Sequence, residues 1–526
     1  MTTAVVGLAR RRNGWVDAFV VFGLSFAYLR LLPDCFSVYD EGNLADPADR
    51  LYQGEMLYRD VFSYWNPGGY WLCAVLFRIA GTSVQTLRIS LALFGAAAAV
   101  GAWRLARDHS GRKLAILAGL SGPLVCYPIW WMASSHWYST FTALAAAVGL
   151  RRCFGTRSSV AVLTTGVLCG VTFAMLQPVG VFLSAAIAAA LAWDRAWITS
   201  RATVLRHLAL FAVGVLVPAA VMYGYFAANG AIGAMVYDTL LWNLRHFGAS
   251  LKSAYGGAVW GMLTDLWFRV CRLVLMIVPP VTYMFAFALT GLRYVRRVAL
   301  QEDRRLFALA AVGTGLLASN YYYPDVVHLA FAAPPAFAGL AALVTRLAAT
   351  DRLRHLGHAS AIVLLAFVVL AGSASLQRLR SQCSAELSTP RGTIAVAPFF
   401  VDDMQRVLAF LSTHLSPGER FYVYPYGAGY NFLVGHPNAT PHAAVFPGVP
   451  SLTTERQLVE VVSALERNQV RYVLTTFIFP GMLKQYSTPL ERYIREHYHI
   501  TQTFPQTLIL ERDAPGKSGT KIGPLP

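Results

Sequence analysis

The run VQTLRISLALFGAAAAVGAWRLA, residues 84–106, decides the fold class of this chain. It is almost entirely apolar, its two arginines stand toward its ends, and it has the roughly 20 residues that a helix needs to cross a bilayer. Similar runs recur along the 526 residues, of which 56% are hydrophobic and only 13% charged. The sequence therefore predicts a polytopic α-helical membrane protein.

The charge pattern predicts how the spans are oriented. A net charge of +17 would suit a nucleic-acid partner, but the basic residues form short clusters between apolar runs, as the positive-inside rule expects. We therefore predict no nucleic-acid binding. With the basic connections and the N-terminus on the cytoplasmic side, about eleven spans follow: 15–33, 84–106, 114–131, 135–150, 159–176, 178–193, 207–228, 267–291, 306–320, 326–345 and 359–376. The apolar segment 68–80 is too short to span and predicts an interfacial or re-entrant helix.

The C-terminal region differs in composition from the rest. Charged helical patterns at 402–414 and 454–468 alternate with strand-like runs at 420–425 and 470–477, and a last strand is expected near 507–512. We predict a transmembrane catalytic domain over 1–376 with a first outer loop at 34–83, an extracytoplasmic α/β domain over 377–513, and a disordered tail over 514–526. No catalytic set is recognisable in the α/β domain. The seven cysteines show no paired spacing and are expected to be ordinary core residues.

The candidate site lies in the first outer loop, where the first apolar segment ends. Asp40 and Glu41 are adjacent carboxylates there, in a chain poor in acids. A carboxylate at a membrane face can take a proton from an acceptor hydroxyl, or bind a metal that stabilises a leaving phosphate. The simpler alternative is a helix cap or a pair of solvated loop acids.

Four stretches of the sequence resemble a known family. They are Asp40-Glu41-Gly42, Tyr58-Arg59-Asp60, Asn66-Pro67-Gly68 and the segment ending at Arg88, and in this order they resemble the first outer loop of GT-C class glycosyltransferases. That class includes protein mannosyltransferases, the aminoarabinose transferase of lipid A and the RgtA/B/C/D-like group. The resemblance covers about residues 15–110. Farther along, the stretch from Tyr323 to His328 resembles an outer-loop acid and histidine of bacterial members. Asn66 stands where relatives often carry proline.

The resemblance implies an inverting hexosyl- or pentosyltransferase. It would move a sugar from a polyprenyl-phosphate donor to a hydroxyl of a glycan, lipid or protein acceptor, at the outer face of the cytoplasmic membrane. Asp40 would be the base, and Glu41 would orient the site or hold a divalent metal, which the adjacent acids permit but do not require. The expected substrate-binding residues are Tyr58, Arg59, Asp60, Arg88, Arg245, His246, Asp325 and His328.

Two other functions remain open from the sequence. A transporter or flippase of lipid-linked sugars would share the size and hydrophobicity, but no clear internal repeat supports it. An O-antigen ligase or polymerase is expected to carry its main polar residues in a large late loop, whereas here the densest polar stretch comes first.

Overall fold

Helices dominate the first 382 residues of this computed structural model, which describes residues 2–155, 158–247, 253–257, 266–446, 452–476 and 488–514. Nine of the eleven predicted spans fall on a single helix each, whereas 114–131 and 326–345 each fall on a broken helix. The helices are α1 (Thr2–Leu31), α2 (Gly42–Tyr52), α3 (Gly68–Ala80), α4 (Val84–Ala106), α5 (Arg112–Ser121), α6 (Ser135–Gly155), α7 (Ser159–Met175), α8 (Gln177–Ile198), α9 (Arg201–Ala228), α10 (Ile232–Val236), α11 (Leu266–Val295), α12 (Gln301–Ala318), α13 (Val326–Ala332), α14 (Pro334–Ala348) and α15 (Arg354–Gln382).

Not every helix is long enough to cross a bilayer by itself. Within the described residues, six helices meet the length and composition of a span, namely α1, α4, α8, α9, α11 and α15, and the pair α13 and α14, bent by 62°, makes a seventh if counted as one. Helix α5 gives way to a π-helical turn at Gly122–Cys126 and a 3-10 turn at Tyr127–Ile129. Pro123 and Pro128 account for this break, because proline lacks the N–H that continues a helix. The multi-pass helical prediction is confirmed.

Small residues bring the spanning helices close together. A Cβ atom on Gly166 of α7 would lie 2.3 Å from the carbonyl oxygen of Phe211 in α9, and one on Gly214 would lie 2.4 Å from that of Leu163. Glycine at both positions lets the two backbones touch, as in other membrane helix pairs. Helices α7 and α9 are therefore in close backbone contact along the bundle.

The C-terminal domain is α/β, as predicted. A hairpin of β1 (Ala385–Thr389) and β2 (Gly392–Val396) precedes a four-stranded sheet of β3 (Tyr422–Tyr424), β4 (Tyr472–Thr476), β5 (Tyr498–Thr503) and β6 (Thr507–Arg512). The sheet order is β3-β4-β6-β5, with β3 and β4 parallel and the other pairs antiparallel. Its helices are α16 (Pro398–His414), α17 (Gly429–Val434), α18 (Glu455–Arg467) and α19 (Pro489–His497). The expected tail beyond residue 514 lies outside the described residues.

The first outer loop and the C-terminal domain share one hydrophobic core, in which Phe36, Leu44 and Val61 of the loop are buried with Val407 and Phe432 of the domain. Polar contacts reinforce the joint. They include ion pairs of Arg391 with Asp49 and of Arg420 with Glu55, each at 2.6 Å, and a hydrogen bond from Arg50 to the carbonyl of Thr440.

A disulfide also joins the two parts. Cys35, at the start of the outer loop, is bonded to Cys383, just after α15. The prediction that every cysteine is an ordinary core residue is wrong for this pair, whose separation of 348 residues leaves no spacing signal. The other five cysteines are free and buried.

Candidate active site

Asp40 lies in the turn that leads into α2, and its carboxylate meets a residue of the C-terminal domain. The hydroxyl of Tyr426 donates a hydrogen bond of 2.7 Å to Oδ1 of Asp40. The rings of Tyr39 and Tyr426 also pack together, with centroids 5.4 Å apart. The sequence analysis assigned no functional residue to this domain, so Tyr426 was missed.

A glycine contact holds Tyr426 in place. The N–H of Gly429 donates to the carbonyl of Val38 at 2.8 Å. A Cβ atom on Gly429 would lie 2.4 Å from Cα of Val38, and one on Gly42 would lie 2.2 Å from the nitrogen of Gly429. Gly427, next to Tyr426, has a φ of +146°, which side chains disfavour. The Gly427–Gly429 turn is thus a docking point for the Asp40 loop, and its glycines were the signal in the sequence.

Three tyrosines interact with the Asp40 carboxylate. Besides Tyr426, Tyr64 and Tyr323 lie close enough to interact electrostatically with it. We call this group, Asp40 with Tyr64, Tyr323 and Tyr426, the tyrosine recess. In the part of the chain that the structure describes, no ion pair joins Asp40 to a cation. Asp40 as a whole residue is exposed, whereas its hydrogen bond with Tyr426 is partly buried.

The recess alters the acidity of Asp40. Removal from bulk water raises the pKa of the Asp40 carboxyl, and the hydrogen bond from Tyr426 lowers it by a smaller amount, so the net shift is upward. A raised pKa makes the ionised carboxylate a stronger base, while the carboxylate stays reachable. This arrangement suits proton abstraction from a bound hydroxyl.

Glu41, by contrast, is fully buried. It forms a two-point ion pair with the guanidinium of Arg88, in which Nη2 lies 2.7 Å from Oε2, and its Oε1 accepts a hydrogen bond of 3.0 Å from the N–H of Ala133. Arg88 also donates to the carbonyl of Cys35. A cation at Glu41 would have to compete with this guanidinium, so the surroundings of Glu41 do not fit the metal that the sequence allowed. Among the described residues, no group of three or more His, Cys, Asp or Glu side chains is placed to hold a metal ion.

Asp325 and His328 are brought together near the recess. Asp325 caps α13, because its carboxylate accepts a 2.8 Å hydrogen bond from the backbone N–H of His328. It also accepts a 2.8 Å hydrogen bond from Nδ1 of the same histidine, so the ring proton lies on Nδ1. The ring of Tyr323 packs 5.2 Å from that of His328, and Tyr323 interacts with both Asp325 and Asp40. His136, which the sequence analysis did not single out, packs its ring 5.1 Å from His328.

The remaining predicted residues lie farther from Asp40 or have structural partners. Tyr58 is buried, with a φ of 70°, and donates to the carbonyl of Trp65. Arg59 is exposed and pairs with Asp60 at 2.8 Å, and this contact lowers the pKa of the Asp60 carboxyl.

Arg245 and His246 lie on a π-helical segment, Tyr237–Phe247, where His246 packs against Trp242. Asn243 of the same segment donates to the carbonyl of Tyr64 at 2.8 Å. This segment therefore supports one wall of the tyrosine recess.

The arrangement of spanning helices, first outer loop and C-terminal domain is the GT-C fold. ArnT from Cupriavidus metallidurans in the apo state superposes with a TM-score of 0.58 at 13% identity, covering 97% of this chain and 100% of that one. The same protein bound to undecaprenyl phosphate gives 0.57 at 13% identity, covering 99% of this chain and 100% of that one.

Two other solved structures are also similar. The oligosaccharyltransferase AglB from Archaeoglobus fulgidus, in complex with an inhibitory peptide and a dolichol-phosphate, gives a TM-score of 0.53 at 12% identity, covering 95% of this chain and 75% of that one. The arabinofuranosyltransferase AftD from Mycobacteria gives 0.50 at 16%, covering 96% of this chain and 40% of that one. No protein-family model and no curated protein matches the sequence. At these identities, the likeness establishes the fold.

Proposed function

We propose that this chain is a glycosyltransferase that uses a polyprenyl-phosphate-linked sugar and that Asp40 is its catalytic base. The observation that carries the proposal is the tyrosine recess, which gives one accessible carboxylate a raised pKa and a fixed orientation. The fold adds support, because similar structures include one bound to undecaprenyl phosphate and one in complex with a dolichol-phosphate.

The reaction would proceed with inversion at the sugar. The acceptor hydroxyl attacks the anomeric carbon from the face opposite the phosphate, while Asp40 takes the hydroxyl proton. The new bond from the acceptor oxygen to the anomeric carbon forms as the bond from that carbon to the phosphate oxygen breaks, and the polyprenyl phosphate leaves as the anion. Tyr64, Tyr323 and Tyr426 offer ring faces and hydroxyls to the sugar.

The other site residues divide into positioning and binding roles. Glu41 and Arg88 act as a positioning pair, because each satisfies the other in a buried setting. The leaving phosphate is assigned to His328, which packs against Tyr323 of the recess, and to Arg245 and His246 of the π-helical segment that contacts Tyr64, since developing negative charge needs hydrogen-bond donors. Tyr58, Arg59 and Asp60 shape the turn that leads to Tyr64. The proposal allows a hydroxyl of a glycan, of a lipid or of a protein as the acceptor.

We propose a cytoplasmic-membrane location, with the N-terminus inside and the C-terminal domain outside. Two independent features support it. The basic connections cluster at the ends of the helices away from Asp40, as the positive-inside rule expects for the cytoplasmic side. The Cys35–Cys383 disulfide requires an oxidising compartment on the side of Asp40. Ten of the eleven predicted spans separate the two cysteines, and this even number places both on the same side of the membrane.

The test is sugar transfer by the purified protein in nanodiscs, from a panel of radiolabelled synthetic polyprenyl-phosphate sugars. Wild type is compared with Asp40→Asn and with Asp402→Asn, a matched control in an exposed acid of the C-terminal domain. Label should reach an acceptor or water in wild type and in the control only, and an added chelator reports on metal dependence. In a parallel assay with the protein in sealed proteoliposomes, passage of the intact lipid-linked sugar across the bilayer, without transfer, would replace this proposal with the transporter function.

A further inference from the structure

An arginine cluster lies at the ends of the helices opposite the tyrosine recess. Asp108, just after α4, is nearly buried and meets three arginines: Arg104 at 3.0 Å, Arg151 at 2.8 Å and Arg305 at 3.6 Å. One carboxylate balances one of the three positive charges. The cluster therefore keeps a positive excess where the spans end.

One N–H donor of the arginine cluster has no acceptor among the described residues. Nε of Arg305 is buried and has no hydrogen-bond partner among the residues that the structure describes. A buried guanidinium N–H without an acceptor is costly, and an anionic oxygen is the acceptor that pairs with it best. An anionic group bound at the cluster would supply that acceptor.

An apolar crevice of about 790 Å³ opens beside the cluster, between α4, α6 and α7. Small side chains line its walls, among them Ala97, Gly101 and Ala145, and Arg151 and Arg305 stand at its end. Val160 and Thr164 of α7 form its margin and are exposed on the helix face that a bilayer would cover. The crevice is therefore reachable sideways by a lipid, and its volume is within the ~300–1,000 Å³ typical of small-molecule sites.

We propose that this crevice binds an anionic phospholipid, with an acyl chain against the small-residue wall and the phosphate at Arg151 and Arg305. Basic pockets between spanning helices on the cytoplasmic side are suited to such head groups. The lipid phosphate would accept from Nε of Arg305 and balance the charge that Asp108 leaves uncompensated. Arg88, which pairs with Glu41 next to Asp40, and Arg104, which pairs with Asp108, are 16 residues apart in α4, roughly 24 Å along the helix. The crevice is therefore a separate site from the proposed sugar-donor site.

The test is lipid retention by the delipidated full-length protein, measured by native mass spectrometry with phosphatidylglycerol and, separately, phosphatidylcholine. Wild type should bind phosphatidylglycerol at least about fivefold more tightly than phosphatidylcholine, because one cation near a membrane surface contributes an effect of roughly that size. Arg305→Gln should remove this preference, and Thr164→Trp, which fills the crevice from its exposed margin, should reduce binding of phosphatidylglycerol by a similar factor.

Two matched variants control for lost charge and for added bulk. Arg296→Gln removes an exposed cation from the same side, and Val213→Trp enlarges an exposed residue of α9 away from the crevice. Both should bind phosphatidylglycerol as wild type does. Equal binding of the two lipids, or unchanged binding in both Arg305→Gln and Thr164→Trp, would overturn the proposal. So would displacement of phosphatidylglycerol by an equal amount of polyprenyl phosphate, since the crevice would then hold the donor's chain.

Discussion

The tyrosine recess and the buried Glu41–Arg88 pair contain consecutive residues, Asp40 and Glu41, which differ in exposure and in the charge of their partners. Asp40 is accessible and its hydrogen-bond partner is a neutral phenol, whereas Glu41 is fully buried and its partner is a cation. A carboxylate left without a cation keeps its basicity and can react. A carboxylate tied to a buried guanidinium stabilises the loop instead. The proposed catalytic role therefore falls to Asp40, and a structural role falls to Glu41.

The sharpest test of this division is Asp40→Asn. An amide cannot accept the hydroxyl proton, so the transfer rate should fall by about 10²–10⁴-fold, the usual contribution of a general base. The melting temperature should change little, because Asp40 has no buried charge partner. Initial rates and thermal unfolding of the same preparations check both parts. A rate within threefold of wild type would remove Asp40 from the chemistry.

Glu41→Gln should show the reverse pattern. Loss of one member of a buried ion pair leaves Arg88 uncompensated and costs about 3–5 kcal/mol of unfolding free energy. Asp402→Asn, which disrupts an exposed pair with Arg406, should cost about 0–1 kcal/mol. Thermal or denaturant unfolding in nanodiscs measures the difference. Full stability of Glu41→Gln together with lost transfer would instead make Glu41 a catalytic residue.

Gly429→Ala tests how the C-terminal domain reaches Asp40. The new methyl group would lie 2.4 Å from Cα of Val38, a backbone atom that cannot easily give way. Overpacking of this kind costs about 1–3 kcal/mol and should move Tyr426 away from Asp40, lowering the transfer rate as well as the stability. Gly291→Ala, where the added methyl group meets nothing within 4 Å, is the control and should be neutral or slightly stabilising. Equal behaviour of the two variants would contradict the docking role.

Tyr426→Phe should have the smallest effect and the most specific one. The lost hydrogen bond stabilises the ionised Asp40, so its removal raises the pKa of that carboxyl further. The base is active when deprotonated, and activity is lost as pH falls through its pKa. The acid limb of the pH–rate profile should therefore move to higher pH.

The matched control for that variant is Tyr422→Phe. The hydroxyl of Tyr422 is buried and has no hydrogen-bond partner among the described residues, so its removal costs no bond. The pH profile of this control should follow that of wild type. A shared shift, or none in either variant, would mean that Tyr426 does not set the basicity of Asp40.

Local patterns were sufficient to predict the long apolar helices, but only five of the ten C-terminal elements that the structure describes, namely α16, α18, β3, β4 and β6. The span predicted at 84–106 coincides with α4, because an apolar run bounded by polar residues marks both of its ends. The β1–β2 hairpin and β5 were not predicted, because most of their residues are at least partly exposed and give a weak apolar pattern. The short helices α17 and α19 were missed as well. Only Pro123 and Pro128 indicate the break after α5 in the sequence.

The site was predictable only at its centre. The sequence drew attention to Asp40 and Glu41 together, but it could not say which would be buried, because that depends on Arg88, 47 residues away. Tyr426 lies 386 residues from Asp40, and no local spacing connects them. Contacts across such distances follow from the docking of the C-terminal domain on the outer loop, which is a property of the whole fold.

The Cys35–Cys383 bond has a consequence for the order in which the protein is made. Cys35 leaves the ribosome early, but its partner follows 348 residues later, after α15. During synthesis Cys35 is therefore without its native partner while the intervening helices enter the membrane. The loop that carries Asp40 can be locked by this bond only after Cys383 has been made, so a chain interrupted before Cys383 would leave the loop without its disulfide.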